Sequence, residues 1–124
     1  MNAITLIGTE RDRQLQDLGY TYEHDDDHID GQIALAAACY AAGSSGTGIF
    51  VVKANRPHSI EIEDAWPWAM EDDKRTRDLD GEVTEPGYAR DPKSKLEKRI
   101  RMLVKAGALI CAEIDRLERT KHAS

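Results

Sequence analysis

Residues 96–117 constrain this chain more than any other stretch. Leu96, Ile100, Leu103, Val104, Gly107, Ile110, Cys111, Ile114 and Leu117 recur at the i, i+4, i+7, i+8 and i+11 spacings that an α-helix gathers onto one face. Asp91 can cap such a helix and Pro92 suits its first position, so the spacing predicts a helix of roughly 25 residues, frayed near Lys121. Gly107 in mid-stripe costs about 1 kcal/mol against alanine and fits a point where another helix crosses closely. A chain of 124 residues can bury one modest core, so the expectation is one domain, 1–124, organised around this helix.

The remaining segments fill in a mainly α fold: about three helices in a compact bundle with a small β-hairpin insertion. Ile4, Ile7, Leu15 and Leu18 share a helical face over residues 4–18, and Gly19 can stop that helix. Its middle, "ERDRQ", is polar, which predicts a half-exposed element. Residues 31–42, "GQIALAAACYAA", read as a second helix with Asp30 as N-cap and Gly43 as terminator. So many alanines let another backbone approach closely, which places this helix at the centre of the bundle. After the connector "GSSGTG", the runs "IFVVKA" and "SIEIED" flank "NRPH" and predict a hairpin at about residues 48–64. Two strands alone are marginal, so the hairpin is expected to pack on the helices or pair with another subunit. Residues 71–90 are polar and punctuated by glycine and proline, and read as an exposed loop.

Net charge is −6, which argues against general nucleic-acid binding, but the sign is unevenly spread. Residues 1–30 hold eight acids and two bases, and residues 90–105 hold seven bases and two acids. Opposed blocks of this kind predict mutual docking or a local anion site. No apolar run approaches the roughly 20 residues that span a bilayer, and the start lacks the basic flank and apolar core of a leader. A cytoplasmic protein without membrane partners is expected, with Cys39 and Cys111 as two buried thiols.

The densest chemistry lies in "YTYEHDDDHIDGQ", residues 20–32, which reads as a loop entering the second helix. Its acids and histidines are metal-ligand types, yet no H-E-x-x-H pair or D-x-[DN]-x-[DN]-G loop is present, so no metal or cofactor is assigned. Acids at a helix N-terminus are favoured by the macrodipole, and a histidine among carboxylates is expected to hold its proton and to donate to an anion. Lys93, Lys95, Lys98 and Arg99 crowd the first two turns of the last helix, where cations oppose the dipole. A docked phosphate or acidic segment would relieve them. Glu113 and Asp115 read as residues at the two boundaries of the apolar stripe. Trp66 and Trp68, either side of Pro67, cover a core edge or form a stacking surface.

Taken in order, "ERDRQ", "YTYEHDDDHIDGQIALAAACYA", "WPW" and "LVKAGALICAEIDRLER" resemble a family of small proteins encoded by phages and prophages, loosely grouped with MazG-like all-α nucleotide pyrophosphohydrolases. The likeness covers about the first 42 residues, the tryptophan pair and the last 22, and has no counterpart for residues 43–64. MazG-like enzymes hold magnesium on E-E-x-x-E and E-x-x-D motifs. Here the second helix has no acid after Asp30, and the last carries Glu113 and Asp115 instead, so those ligands do not carry over.

The resemblance implies a phage-type accessory protein in the bacterial cytoplasm, and its leading reading is a non-catalytic binder of a nucleotide-like small ligand. Such a protein would sequester a host anti-phage defence signal, with its site between subunits of a homo-oligomer. Its ligand is expected at His24, Asp25, Asp26, His28, Trp66, Trp68, Lys95 and Arg99. One alternative is magnesium-dependent pyrophosphohydrolysis, with ligands from Glu23, Asp25, Asp26 and Asp30. The other is an acidic inhibitor that covers a basic surface of a host defence protein.

Overall fold

The computed structural model describes residues 2–19, 21–55, 59–68 and 93–123. Over these residues the fold is mainly α: helices α1 (Ala3–Gln16), α2 (Tyr22–Asp26), α3 (Gln32–Gly43) and α4 (Lys93–Ala123), with strands β1 (Phe50–Asn55) and β2 (Ser59–Asp64) between α3 and α4. The loop expected at residues 71–90 and the caps expected at Asp91 and Pro92 lie outside the described residues. No described helix is long and apolar enough to cross a membrane.

The core is the seam between α3 and α4. Ile33, Ala36, Ala37 and Tyr40 of α3 pack with Met102, Ala106, Leu109 and Ala112 of α4, and Trp66 and Trp68 close one side. Alanines suit this seam because a smooth surface lets two helices pack closely, which increases the dispersion contacts between them.

That choice overturns the expected orientation of α4. The bulky stripe is not the core face: Ile100, Leu103, Ile110, Ile114 and Leu117 are each 49–53 % exposed. The alanine-bearing face, part of a turn away, meets α3 instead, and it carries Glu113 and Arg116 into the interior as a hydrogen-bonded pair. Glu113 is therefore a core-side residue and Asp115 an exposed one, not matched boundary residues.

Helix α1 is inverted in the same way. Its apolar start is outside, with Ile4 83 % exposed, while the polar Glu10, Arg11 and Gln14 are buried. Their charges are paired, Glu10 with Arg13 and Arg101 and Arg11 with Asp25, while Arg11 Nε and Nη1 and Gln14 Oε1 have no partner among the described residues. Glu10 accepts from Arg13 Nε at 2.9 Å and Nη2 at 2.8 Å and from Gln14 Nε2 at 3.3 Å, and it pairs with Arg101 of α4 at 3.0 Å. Ile7 supplies the crossing point onto α4. A Cβ built on Gly107 would lie 2.6 Å from Ile7 Cδ1, so the glycine is the gap that admits α1.

Residues 22–26 form a short helix, not the expected loop. Thr21 caps it, its Oγ1 accepting from the His24 N–H at 3.3 Å. Asp30 does not cap α3. Gly31 takes the N-cap position at φ +81°, and Gln32 Oε1 reaches back to accept from the Asp30 N–H at 2.8 Å. A positive φ there is available to glycine without the Cβ penalty, so it turns the chain into α3 and leaves Asp30 exposed.

The hairpin forms in the expected place, antiparallel, with Phe50 opposite Asp64 and Val52 opposite Ile62. Its apolar side faces water: Phe50, Val52 and Ile62 are all exposed, so this face does not pack on the helices as expected. What the hairpin does for the bundle is deliver the tryptophans. The Ala65 N–H donates to Ile49 O at 2.8 Å, and the Asp64 carboxylate accepts from the Trp66 N–H at 2.9 Å, a local turn that swings residues 65–68 back onto the core.

Candidate functional site

An open cleft of about 540 Å³ lies where α1, α3, α4 and the tryptophan segment meet. Ligand pockets commonly run from about 300 to 1,000 Å³, so its size suits a small organic molecule. One wall is aromatic and comes from Tyr40, Trp66 and Trp68. Pro67 restricts the backbone between the two tryptophans, and their rings meet edge to face with centroids 5.5 Å apart. Tyr40 meets Trp66 in the same geometry at 5.5 Å.

Much of the remaining lining is charged. Arg13 reaches it from α1, and Arg101 and Lys105 from α4, one turn apart. Against these three cations stands the single carboxylate of Glu10, so the lining carries 3 − 1 = +2 in a chain whose net charge is −6. Burial alone would raise the Glu10 pKa. The Arg13 hydrogen bonds, with Arg101 and Gln14, outweigh burial and hold it below the usual carboxylate range. Glu10 therefore stays ionised and positions both guanidinium groups. Lys105 is fixed differently, with Nζ 5.7 Å from the Tyr40 ring centroid.

Two buried polar atoms of the lining residues have no partner among the described residues: Trp68 Nε1, a donor, and Gln14 Oε1, an acceptor. A buried unsatisfied group costs about 1–3 kcal/mol, which a ligand offering the complementary atom would recover. Stacking rings, a surplus of cations, and one donor with one acceptor together suit a planar heterocycle joined to an anionic group.

The "EHDDDH" motif adjoins this cleft through its histidines. His28 packs on Trp68 with centroids 5.2 Å apart, and His24 meets His28 edge to face at 4.9 Å. The rings of His24, His28, Trp68, Trp66 and Tyr40 thus form one continuous run. His28 does not behave as its acidic neighbours suggest. Burial, with the charge of His24 beside it, pushes its pKa below the usual range despite Asp25, Asp27 and Glu113. It faces the tryptophan as a neutral ring, so the expected protonated donor is absent at this position.

The carboxylates of the motif turn the other way. Asp25 is buried, accepts from Arg11 Nη2 at 3.1 Å and lies 3.2 Å from His24 Nδ1. Asp26 accepts from Arg119 Nη2 at 2.8 Å, and the same guanidinium lies over the Tyr22 ring, 4.3 Å from its centroid. These contacts staple α2 to α1 and to the far end of α4. Among the described residues, no group of three His, Cys, Asp or Glu is placed to hold a metal ion.

Of the eight residues expected to form the site, the fold gathers His24, His28, Trp66 and Trp68. Asp25 and Asp26 stand beside them in ion pairs. Arg99 is elsewhere, its Nε donating to Ser44 O at the end of α3 at 2.9 Å, a contact that anchors α4 against the α3 C-terminus. Lys95 belongs to the first turn of α4, and its side chain lies outside the described residues. The cations of the cleft are instead Arg13, Arg101 and Lys105, which sequence reading missed. A signal existed for two of them, since Arg101 and Lys105 belong to the same basic block, one turn further along. Arg13, Gln14 and Tyr40 carried none, because the first two come from α1 and the third from α3, far from the basic block in sequence. No protein-family model, curated protein or solved structure matches the chain.

Proposed function

We propose that this chain is a non-catalytic phage-type accessory protein that binds a nucleotide-like small ligand in the cleft between the tryptophans and the basic wall. In a bacterial host it would sequester a nucleotide-derived anti-phage defence signal. The observation that carries this reading is the pairing of three aromatic rings with a net +2 lining inside an acidic protein. A base or nicotinamide-like ring stacks on Trp66 or Trp68, and phosphates meet Arg101, Lys105 and Arg13. The phage assignment rests on the sequence resemblance, and the ligand class rests on the cleft.

Binding without turnover fits the state of the acids near the ring run. Asp25 and Asp26 are committed to Arg11 and Arg119, and Glu10 to Arg13 and Arg101, so each serves as a counter-ion. Isothermal titration and thermal shift with ADP-ribose, cyclic mononucleotides and cyclic dinucleotides test the proposal. A saturable signal with one of them, with the ligand recovered intact, is expected. A flat response across the panel would sink the nucleotide reading. Magnesium-dependent product release that Asp26→Ala abolishes would favour the pyrophosphohydrolase instead. Salt-sensitive capture of one host protein, with no small ligand bound, would favour the inhibitor.

A further inference from the structure

The exposed stripe of α4 has a more specific spacing than general amphipathicity requires. Leu96, Ile100, Leu103, Gly107, Ile110, Ile114 and Leu117 follow one another at intervals of 4, 3, 4, 3, 4 and 3 residues. This is the heptad seam of a coiled coil, sustained over three repeats, and its natural occupant is another helix. Within the chain, α3 takes the alanine face of α4, and α1 crosses at Gly107 with Ile7 filling the gap. Of its six bulky members, Ile100, Leu103, Ile110, Ile114 and Leu117 remain about half exposed and Leu96 is partly buried. At about 1.5 Å per residue those five mark a strip about 26 Å long, and at roughly 10 Å wide it reaches the few hundred Å² at which apolar patches signal an interface.

The charge layout identifies the partner helix. Residues 93–101, at one end of the seam, carry five bases and one acid, net +4. At the other end α2 is stapled to α4 through Asp26 and Arg119. There, residues 21–30 and 113–123 together carry eight acids and three bases, net −5. Across these described residues the charge runs from basic to acidic along the axis of the seam. A second copy laid antiparallel sets each basic end against the partner's acidic end, whereas a parallel copy sets like against like.

We propose that two copies of this chain associate through an antiparallel pairing of their α4 seams, its midpoint level with Gly107 and its contacts made by Ile100, Leu103, Ile110, Ile114 and Leu117 beside the Ile7 that covers the glycine. The apolar contacts supply the attraction and the end charges fix the direction. The seam residues are not among those that line the cleft, so the pairing stands or falls without the ligand.

Sedimentation equilibrium between about 1 and 100 μM is expected to show a monomer–dimer equilibrium in this range, since two-fold dimers of this modest area are of moderate affinity. Ile110→Glu and, separately, Leu103→Glu should each weaken the dimer by at least about 30-fold, because each places a charge in an apolar seam. Circular dichroism checks that the helices persist. Spin labels on Glu118→Cys in a Cys111→Ser chain report the direction, since Cys39 is buried. They should sit about 35 Å apart across an antiparallel pair, and about 10–15 Å apart in a parallel one. A wild-type monomer throughout the range, a dimer indifferent to both glutamates, or the short separation would each overturn the proposal. The wild-type measurement decides the matter even if a variant fails to fold.

Discussion

Two regions of this molecule invite a functional reading, and they divide the work unequally. The acidic motif of α2 is dense in reactive side chains, yet two of its carboxylates are spent on structure: Asp25 holds Arg11, and Asp26 holds Arg119. The cleft beside it contains no recognisable motif. Its residues come from α1, α3, α4 and the segment after β2, and they supply the rings, the surplus charge and the unpartnered polar atoms. Density of polar residues along the chain marks where charges must be neutralised. Convergence of unlike groups from distant segments marks where a ligand can be held. The two regions meet at His24 and His28, whose rings continue the tryptophan wall.

The sharpest way to break this division is to remove a carboxylate from the motif. Asp25→Ala leaves a buried guanidinium without its counter-ion, and deleting one partner of a buried pair costs about 3–5 kcal/mol. Urea denaturation should show a loss of this size, while ligand affinity, measured where the variant remains folded, should change little. A stable Asp25→Ala chain that no longer binds ligand would instead make Asp25 part of the site.

A smaller effect is expected from the basic wall. Lys105→Met keeps most of the side-chain volume and removes one cation from the lining, so affinity for a phosphorylated ligand should fall about tenfold at low salt. The loss should shrink as salt rises, because the remaining contact is screened. Calorimetry at two ionic strengths checks both the size and the trend.

The smallest effect belongs to pH. Since the folded-state pKa of His28 lies below its ordinary value of 6.5, the folded chain binds fewer protons than the unfolded one. The associated stability is whole above that value and is lost as the pH falls through it. Thermal melts from about pH 7.5 to about pH 5.5 should show a modest decline in Tm that His28→Asn removes. Glu10, depressed from 4.5, adds a second loss at lower pH, as its carboxylate is protonated and the Arg13 and Arg101 contacts weaken. A Tm that rises between neutral and mildly acidic pH would contradict the assignment for His28.

Much of the fold is legible in the sequence, but the direction in which its elements face is not. Periodicity finds α1, α3, the hairpin and α4 because side-chain spacing reports secondary structure directly. It misplaces the core because hydropathy ranks isoleucine and leucine above alanine, whereas close helix packing favours the small residue. Thus Ala106 and Ala112 are buried and Ile110 and Ile114 are half exposed. The polar run of α1 misleads for a related reason. Glu10 and Arg11 are buried because Arg101 and Asp25 meet them, and those partners lie 91 and 14 positions away. In the site, the tryptophans and histidines stand out by residue type. Tyr40 and Gln14 do not, since neither type nor spacing distinguishes them before the helices are brought together.

The central claim is that a ligand belongs to the ring-lined cleft and not to the carboxylates of the motif. Titration of ADP-ribose, or whichever member of the nucleotide panel binds wild type, into Trp66→Ala and Asp26→Ala tests it most directly. Losing a stacking ring should cost about 1–3 kcal/mol, roughly 5- to 150-fold in Kd. The exposed Asp26–Arg119 pair is worth about 0–1 kcal/mol of stability, and its loss should leave affinity nearly unchanged. Full affinity in Trp66→Ala together with lost binding in Asp26→Ala would contradict the account.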